Sequence, residues 1–307
     1  MEKGSFYKVN FLNEKAHSGE TKERGISNSK EIVFVRHGQR GVGEGQTSLT
    51  AFGREQARET GKHLRQQGID LSDYDSVDVF ASYSGDVDPQ SHLPRAAETI
   101  QLVGEALGLP RSTKTPKRLT HVELEQPINP SHYNHNELLR SHLPENYSLL
   151  SNGEKVKAEQ IALSKTLDAA MADQSPEAVA YREEVAGAAA FVLLVELGLI
   201  KSESSHSKSL LLIGIHSTFL EWLFKEAFVW KDQEGLEHIG YRSLEEIGGP
   251  LHYAEAVRMR LGTDNAGQVK AIEVVFTNPR RPVKSGYLNQ EKLIGLATAY
   301  AKLHFSE

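Results

Sequence analysis

The stretch EIVFVRHG, residues 31–38, limits the fold more than any other part of the chain. Ile32, Val33, Phe34 and Val35 are consecutive, apolar and rich in β-branched side chains, the pattern of a short strand covered on both faces. The strand ends on Arg36 and His37, which cost free energy to bury unless something satisfies them. Either this strand end meets water or an anion binds there.

A second buried run, SLLLIGIHS, also ends on a histidine, His216. In open α/β sheets, ligands collect outside the carboxyl ends of the strands, so two histidines in that position mark a candidate site. Between and after these runs the pattern alternates. LTAFGREQARETGKHLRQQG predicts a helix behind Thr50 closed by Gly68, and SVDVFAS predicts a strand. RAAETIQLVGEALGL places Ala96, Ile100, Val103 and Leu107 on one helical face. Further on, PEAVAYREEVAGAAAFVLLVELGLI is a long helix, TFLEWLFKEAF a helix with Leu220, Leu223, Phe224 and Ala227 on one side, and AIEVVF a late strand.

This order predicts an α/β fold, a three-layer α/β/α sandwich with a mostly parallel central sheet. Residues 1–29 are polar and predict a flexible leader, with a single catalytic domain over 30–307. Residues 126–176, rich in His, Asn, Pro and Ser, break the alternation and predict a helical and loop insertion serving as a lid.

Composition excludes several classes. The net charge of -6 argues against nucleic acid or an anionic membrane surface as partner. With no cysteine, disulfides, thiol catalysis and zinc ribbons are ruled out. The apolar stretches are too short or interrupted to span a bilayer, and the opening residues lack the apolar segment of a signal peptide. A cytoplasmic protein is expected.

Four pieces of the chain resemble the histidine phosphatase superfamily, in its phosphoglycerate-mutase-like branch. They are Arg36-His37-Gly38 after the first strand; Leu49, Thr50, Gly53, Gln56, Ala57, Gly61 and Leu64 in the first helix; Ser91, Leu93, Arg95, Ala96 and Thr99; and the strand that delivers His216. The tripeptide alone would be a weak signal, but four pieces in the family's order are not. The resemblance implies a phosphohistidine on His37, with Arg36, Arg95 and His216 around the phosphate. Arg40 is typical of the acid-phosphatase branch.

The chemistry agrees with these roles. A phosphoryl group in transfer spreads charge over three oxygens, and fixed cations must meet it. Arg36, Arg40 and Arg95 supply planar forks that grip phosphate in two places, and His216 adds a donor. The same cations lower the pKa of His37 and keep its lone pair free.

The leaving group needs a proton, and the mutase-like branch implies a glutamate in KRLTHVELEQP. On a strand Glu123 and Glu125 share a face, so spacing does not choose between them; Glu123 is the first candidate. Ser217 stands where the acid-phosphatase branch has an aspartate, and reads as a helix N-cap. His132 and His135 have a metal-compatible spacing but lack a third ligand in register. No metal or cofactor is expected.

These features predict a metal-independent phosphomonoester hydrolase acting on a small molecule or phosphoprotein. The alternatives are a phosphoglycerate-mutase-type phosphotransferase and a non-catalytic phospho-ligand binder. The mutase pattern after Arg-His-Gly is Glu-Ser-x-Trp-Asn, and this chain reads QRGVGEG instead.

Overall fold

The computed structural model describes residues 30–40, 48–82, 93–110, 116–118, 135–196, 208–216, 218–263 and 269–305. The expected leader at 1–29, Glu123, Glu125 and Ser217 fall outside them.

Strands β1 (Lys30–Arg36) and β4 (Ser209–Ile215) run parallel at the centre of the sheet. Successive residues of each point to opposite faces, and both faces are apolar. Ile32 and Phe34 enter one core with Leu211 and Ile213, while Val33 and Val35 enter another with Leu210 and Leu212. Helices α1 (Ala51–Gln66) and α2 (Arg95–Leu107) pack on the second of these cores. The expected face of α2 is fully buried at Ala96, Ile100 and Val103. Thr50 caps α1, its hydroxyl accepting from Gly53 N at 2.9 Å, and Gly68 follows the helix in the left-handed region at φ 86°.

The other core receives α4 (Asn152–Ala172), α5 (Pro176–Phe191), α6 (Phe219–Ala227) and α7 (Gln290–Phe305). Within the expected insertion, the short α3 (His135–Ser141) precedes α4. Leu163, Leu167, Ala170 and Met171 of α4 are buried in the core, so the later half of that region is part of the framework.

The remaining strands are β2 (Ser76–Ala81), β3 (Lys117–Arg118), β5 (Phe228–Lys231), β6 (Glu237–Ile239), β7 (Ala256–Thr263), β8 (Val269–Phe276) and β9 (Ser285–Leu288). The sheet order is β3-β2-β4-β1-β7-β8-β9-β5-β6. The expectation of a mostly parallel sheet is not met. Three neighbouring pairs are parallel, β3 with β2, β2 with β4 and β4 with β1, whereas the other five are antiparallel.

The cause lies in strands that the apolar-run pattern passes over. In β7, buried Val257 and Met259 alternate with Arg258 and Arg260, the period of a strand joined by short connections rather than by crossover helices. Among the described residues no helix is long and apolar enough to cross a membrane.

Candidate active site

The parallel register of the two central strands builds the site. Arg36 lies opposite Ile215, so the next residues, His37 and His216, leave the sheet side by side. His37 N donates to Ile215 O at 2.9 Å, and the imidazole centroids are 5.2 Å apart. Both histidines are buried.

Two close approaches fix the turn after β1. Gly38 and Gly53 leave no room for side chains: a Cβ on Gly38 would fall 2.4 Å from Gly53 O, and one on Gly53 would fall 2.2 Å from Gln39 O. Gly38 N donates to Thr99 Oγ1 at 3.0 Å, and that hydroxyl donates to Arg95 O at 2.7 Å. The turn is thereby tied to the first residue of α2, which is Arg95.

Among the described residues, only one ring nitrogen of His37 has a hydrogen-bond partner. A carbonyl oxygen can only accept, so Nδ1 carries the proton and donates to Gly38 O at 2.8 Å, leaving the Nε2 lone pair free. Burial holds the imidazole pKa well below its ordinary value, and the charges of Arg95, His216 and Arg36 push it the same way.

Arg36 is held from below. Its Nη1 donates to Leu251 O and, at 3.3 Å, to Gln160 Oε1, and its guanidinium lies 4.5 Å from the Tyr253 ring centroid. Its Nε is buried and has no hydrogen-bond partner among the described residues, a donor of the kind an anion would satisfy. Arg40 is half-buried and pairs with Leu49; burial raises the hydroxyl pKa of Tyr147 and Tyr253, and the nearby charge of Arg40 opposes that rise.

Arg36, His37, Arg95 and His216 therefore converge, with Arg40 beside them. The structure also adds groups that no motif announced. Glu159 and Gln160 come from α4, and Leu251 and Tyr253 come from the segment before β7. Glu221 of α6, 1% exposed, accepts from Leu251 N at 3.0 Å, and burial raises its carboxyl pKa against the pull of Arg36. Of this second set only Glu159 and Gln160 fall within the insertion predicted as a lid, and Glu221, Leu251 and Tyr253 carry no sequence signal.

The 247–255 segment is clasped by Arg281, itself 2% exposed. The guanidinium donates to Ile247 O at 2.7 Å, Gly249 O at 2.8 Å and Pro250 O at 3.0 Å, and forks onto both oxygens of Glu255. Strain marks both sides of the site: Ala254 sits at φ 56°, its N–H donating to His37 O, and Thr218, the observed N-cap of α6, sits at φ 82°. Left-handed backbone outside glycine costs about 1–3 kcal/mol per residue and concentrates at functional sites. Among the described residues, no three His, Cys, Asp or Glu side chains gather where a metal ion could be held.

This geometry carries the Arg-His-Gly motif, which lies in a segment that matches a known family model. Residues 32–124 match the histidine phosphatase superfamily (branch 1). The matched segment of this superfamily holds Arg36, His37, Arg40 and Arg95, and stops short of His216.

No curated protein matches the chain. Similar solved structures include a phytase from Klebsiella sp. ASR1, 15% identical, covering 89% of this chain and 95% of that one at a TM-score of 0.44. A Citrobacter braakii phytase is 14% identical, over 90% and 98% of the two chains, at 0.44. The protein histidine phosphatase SixA, complexed with tungstate, is 15% identical over 80% and 93%, at 0.30. Likeness at these scores carries no argument about substrate.

Proposed function

We propose that the protein is a metal-independent phosphomonoester hydrolase that works through a phosphohistidine on His37. The observation that carries this reading is the placement of that imidazole: buried beside Arg36 and Arg95, with Nδ1 pinned to Gly38 O and, among the described residues, no partner on Nε2, while burial and the nearby charges disfavour its protonation. Such a nitrogen is a nucleophile poised against an anion that the arginines can hold.

In the first step Nε2 attacks phosphorus, the P–O bond to the leaving alcohol breaks, and the alkoxide takes a proton from a carboxylic acid. Glu123 is the candidate for that acid. In the second step the carboxylate takes a proton from water as it attacks phosphorus, the N–P bond breaks, and inorganic phosphate leaves with the acid protonated and His37 neutral again. Arg36, Arg40, Arg95 and His216 hold the phosphoryl oxygens in both steps. The substrate class is a small phosphomonoester or a phosphoprotein. The catalytic unit would be a single domain over 30–307, a helix-sheet-helix sandwich in which the earlier part of 126–176 covers the site and α4 belongs to the framework.

The test is hydrolysis of p-nitrophenyl phosphate by the wild type and by His37→Ala, with EDTA present, from acid to neutral pH. Turnover that survives EDTA and disappears in the variant is expected. A wild type inert at every pH would refute the reading and leave the phospho-ligand binder to be tested by calorimetry.

A further inference from the structure

Among the described residues, Tyr253 is the one aromatic ring packed on both His37 and Arg36. Its centroid lies 5.6 Å from that of His37 at an interplanar angle of 51°, and 4.5 Å from the Arg36 guanidinium carbon. The orientation of this ring therefore affects the nucleophile and a phosphate donor together.

The ring is oriented by its hydroxyl, which donates to Glu159 Oε2 at 2.8 Å. Tyr147 donates to the other oxygen of Glu159 at 2.6 Å. The next residue of α4, Gln160, accepts from Arg36 Nη1 and donates to Pro250 O and Leu251 O, each at 3.3 Å. One turn of α4 thus grips Arg36, the ring beneath it and the backbone that carries that ring.

We propose that Tyr253, anchored by Glu159 of α4, is a positioning residue that holds Arg36 and His37 in the arrangement phosphoryl transfer requires. This rests on the phosphatase reading above. A phenylalanine would fill the same space, but it would lose the anchor that fixes the ring. Arginine is a long side chain whose contribution depends on being held before the reaction begins. A displacement of about 1 Å in such a group can cost about a hundredfold in rate, and loosening without displacement should cost less. The Tyr253–Glu159 hydrogen bond thus couples the seating of α4 to the rate at His37, alongside the bonds of Gln160.

The experiment compares the wild type with Tyr253→Phe, Glu159→Leu and the double variant. For each, kcat and KM on p-nitrophenyl phosphate, vanadate affinity by calorimetry and melting temperature are measured. If Glu159→Leu fails to fold, Glu159→Ala replaces it. Each single change should lower kcat about tenfold with KM changed by less than about threefold, and the double variant should be no worse than the worse single one. Vanadate should bind correspondingly weaker.

A merely structural tyrosine would lower the melting temperature and leave kcat in place. Single variants within about twofold of wild-type kcat, or a double variant at the product of the singles, would overturn the proposal. A wild type that binds vanadate without hydrolysing the ester would overturn the phosphatase reading alone, and the vanadate series would then decide the positioning role. A wild type that does neither would overturn both.

Discussion

Replacing Arg281 by methionine tests how the segment under the active site is held. Methionine fills the space of the arginine stem but donates no hydrogen bond. Glu255, 7% exposed, would keep only the His252 N–H at 2.7 Å. Ile247 O and Gly249 O would lose the Arg281 donor, whereas Pro250 O would keep Gln160. Removing one member of a buried ion pair costs about 3–5 kcal/mol, mainly because the other charge is left stranded.

The stranded carbonyls act in the same direction at about 1–3 kcal/mol each if water does not reach them, so about 3 kcal/mol is the lower limit expected. That is a large part of the roughly 5–15 kcal/mol that stabilises a folded domain. Urea unfolding of Arg281→Met should show this loss with an unchanged m-value. Arg281→Met/Glu255→Leu, which removes the stranded carboxylate as well, should recover part of it. A single-variant loss below about 1 kcal/mol, or a double variant less stable than the single, would refute the stranded-charge account.

Two further outcomes follow from the site. The unfolded chain protonates His37 near pH 6.5, whereas folded His37 stays neutral well below that value. The folded state therefore binds fewer protons in acid, and the contribution of His37 to stability is full above about pH 6.5 and lost as pH falls, by up to about 1.4 kcal/mol per unit. Melting curves of His37→Asn should flatten below about pH 6.5 relative to wild type, and parallel curves would mean that His37 titrates in the folded state as it does in the unfolded chain. Gly214→Ala would set a Cβ 2.2 Å from Ala96 O, forcing α2 and its Arg95 away from β4. A loss of about 1–3 kcal/mol in thermal unfolding, with weaker inhibition by inorganic phosphate, is expected.

The half of the site legible in the sequence is the half mounted on regular elements. Arg36, His37 and His216 follow continuous apolar runs, and Arg95 opens a helix with a clear apolar face, so periodicity alone put them at strand and helix ends. Tyr253, Leu251, Glu159 and Gln160 carry no such signal, since a loop and the polar side of a helix follow no burial period. Glu123 and Glu125 fall outside the described residues, so the choice between them stays where the sequence left it. The sheet was misjudged for the same reason. β1, β2 and β4 read as apolar runs and are the parallel part, whereas β7 hides its apolar residues between arginines and β5, β6 and β9 are only three or four residues long.

The neighbouring placement of His37 and His216 also bears on how the chain folds. The two histidines meet only after the long stretch between them has folded back, and Arg36 is not seated until Leu251, later still, has docked beneath it. Closures over such distances are slow compared with helix formation. The first strand, with its helix, can collapse early and still present an incomplete pocket. In refolding, helical signal should therefore return well before phosphate binding, and the site would report that the whole sheet has closed.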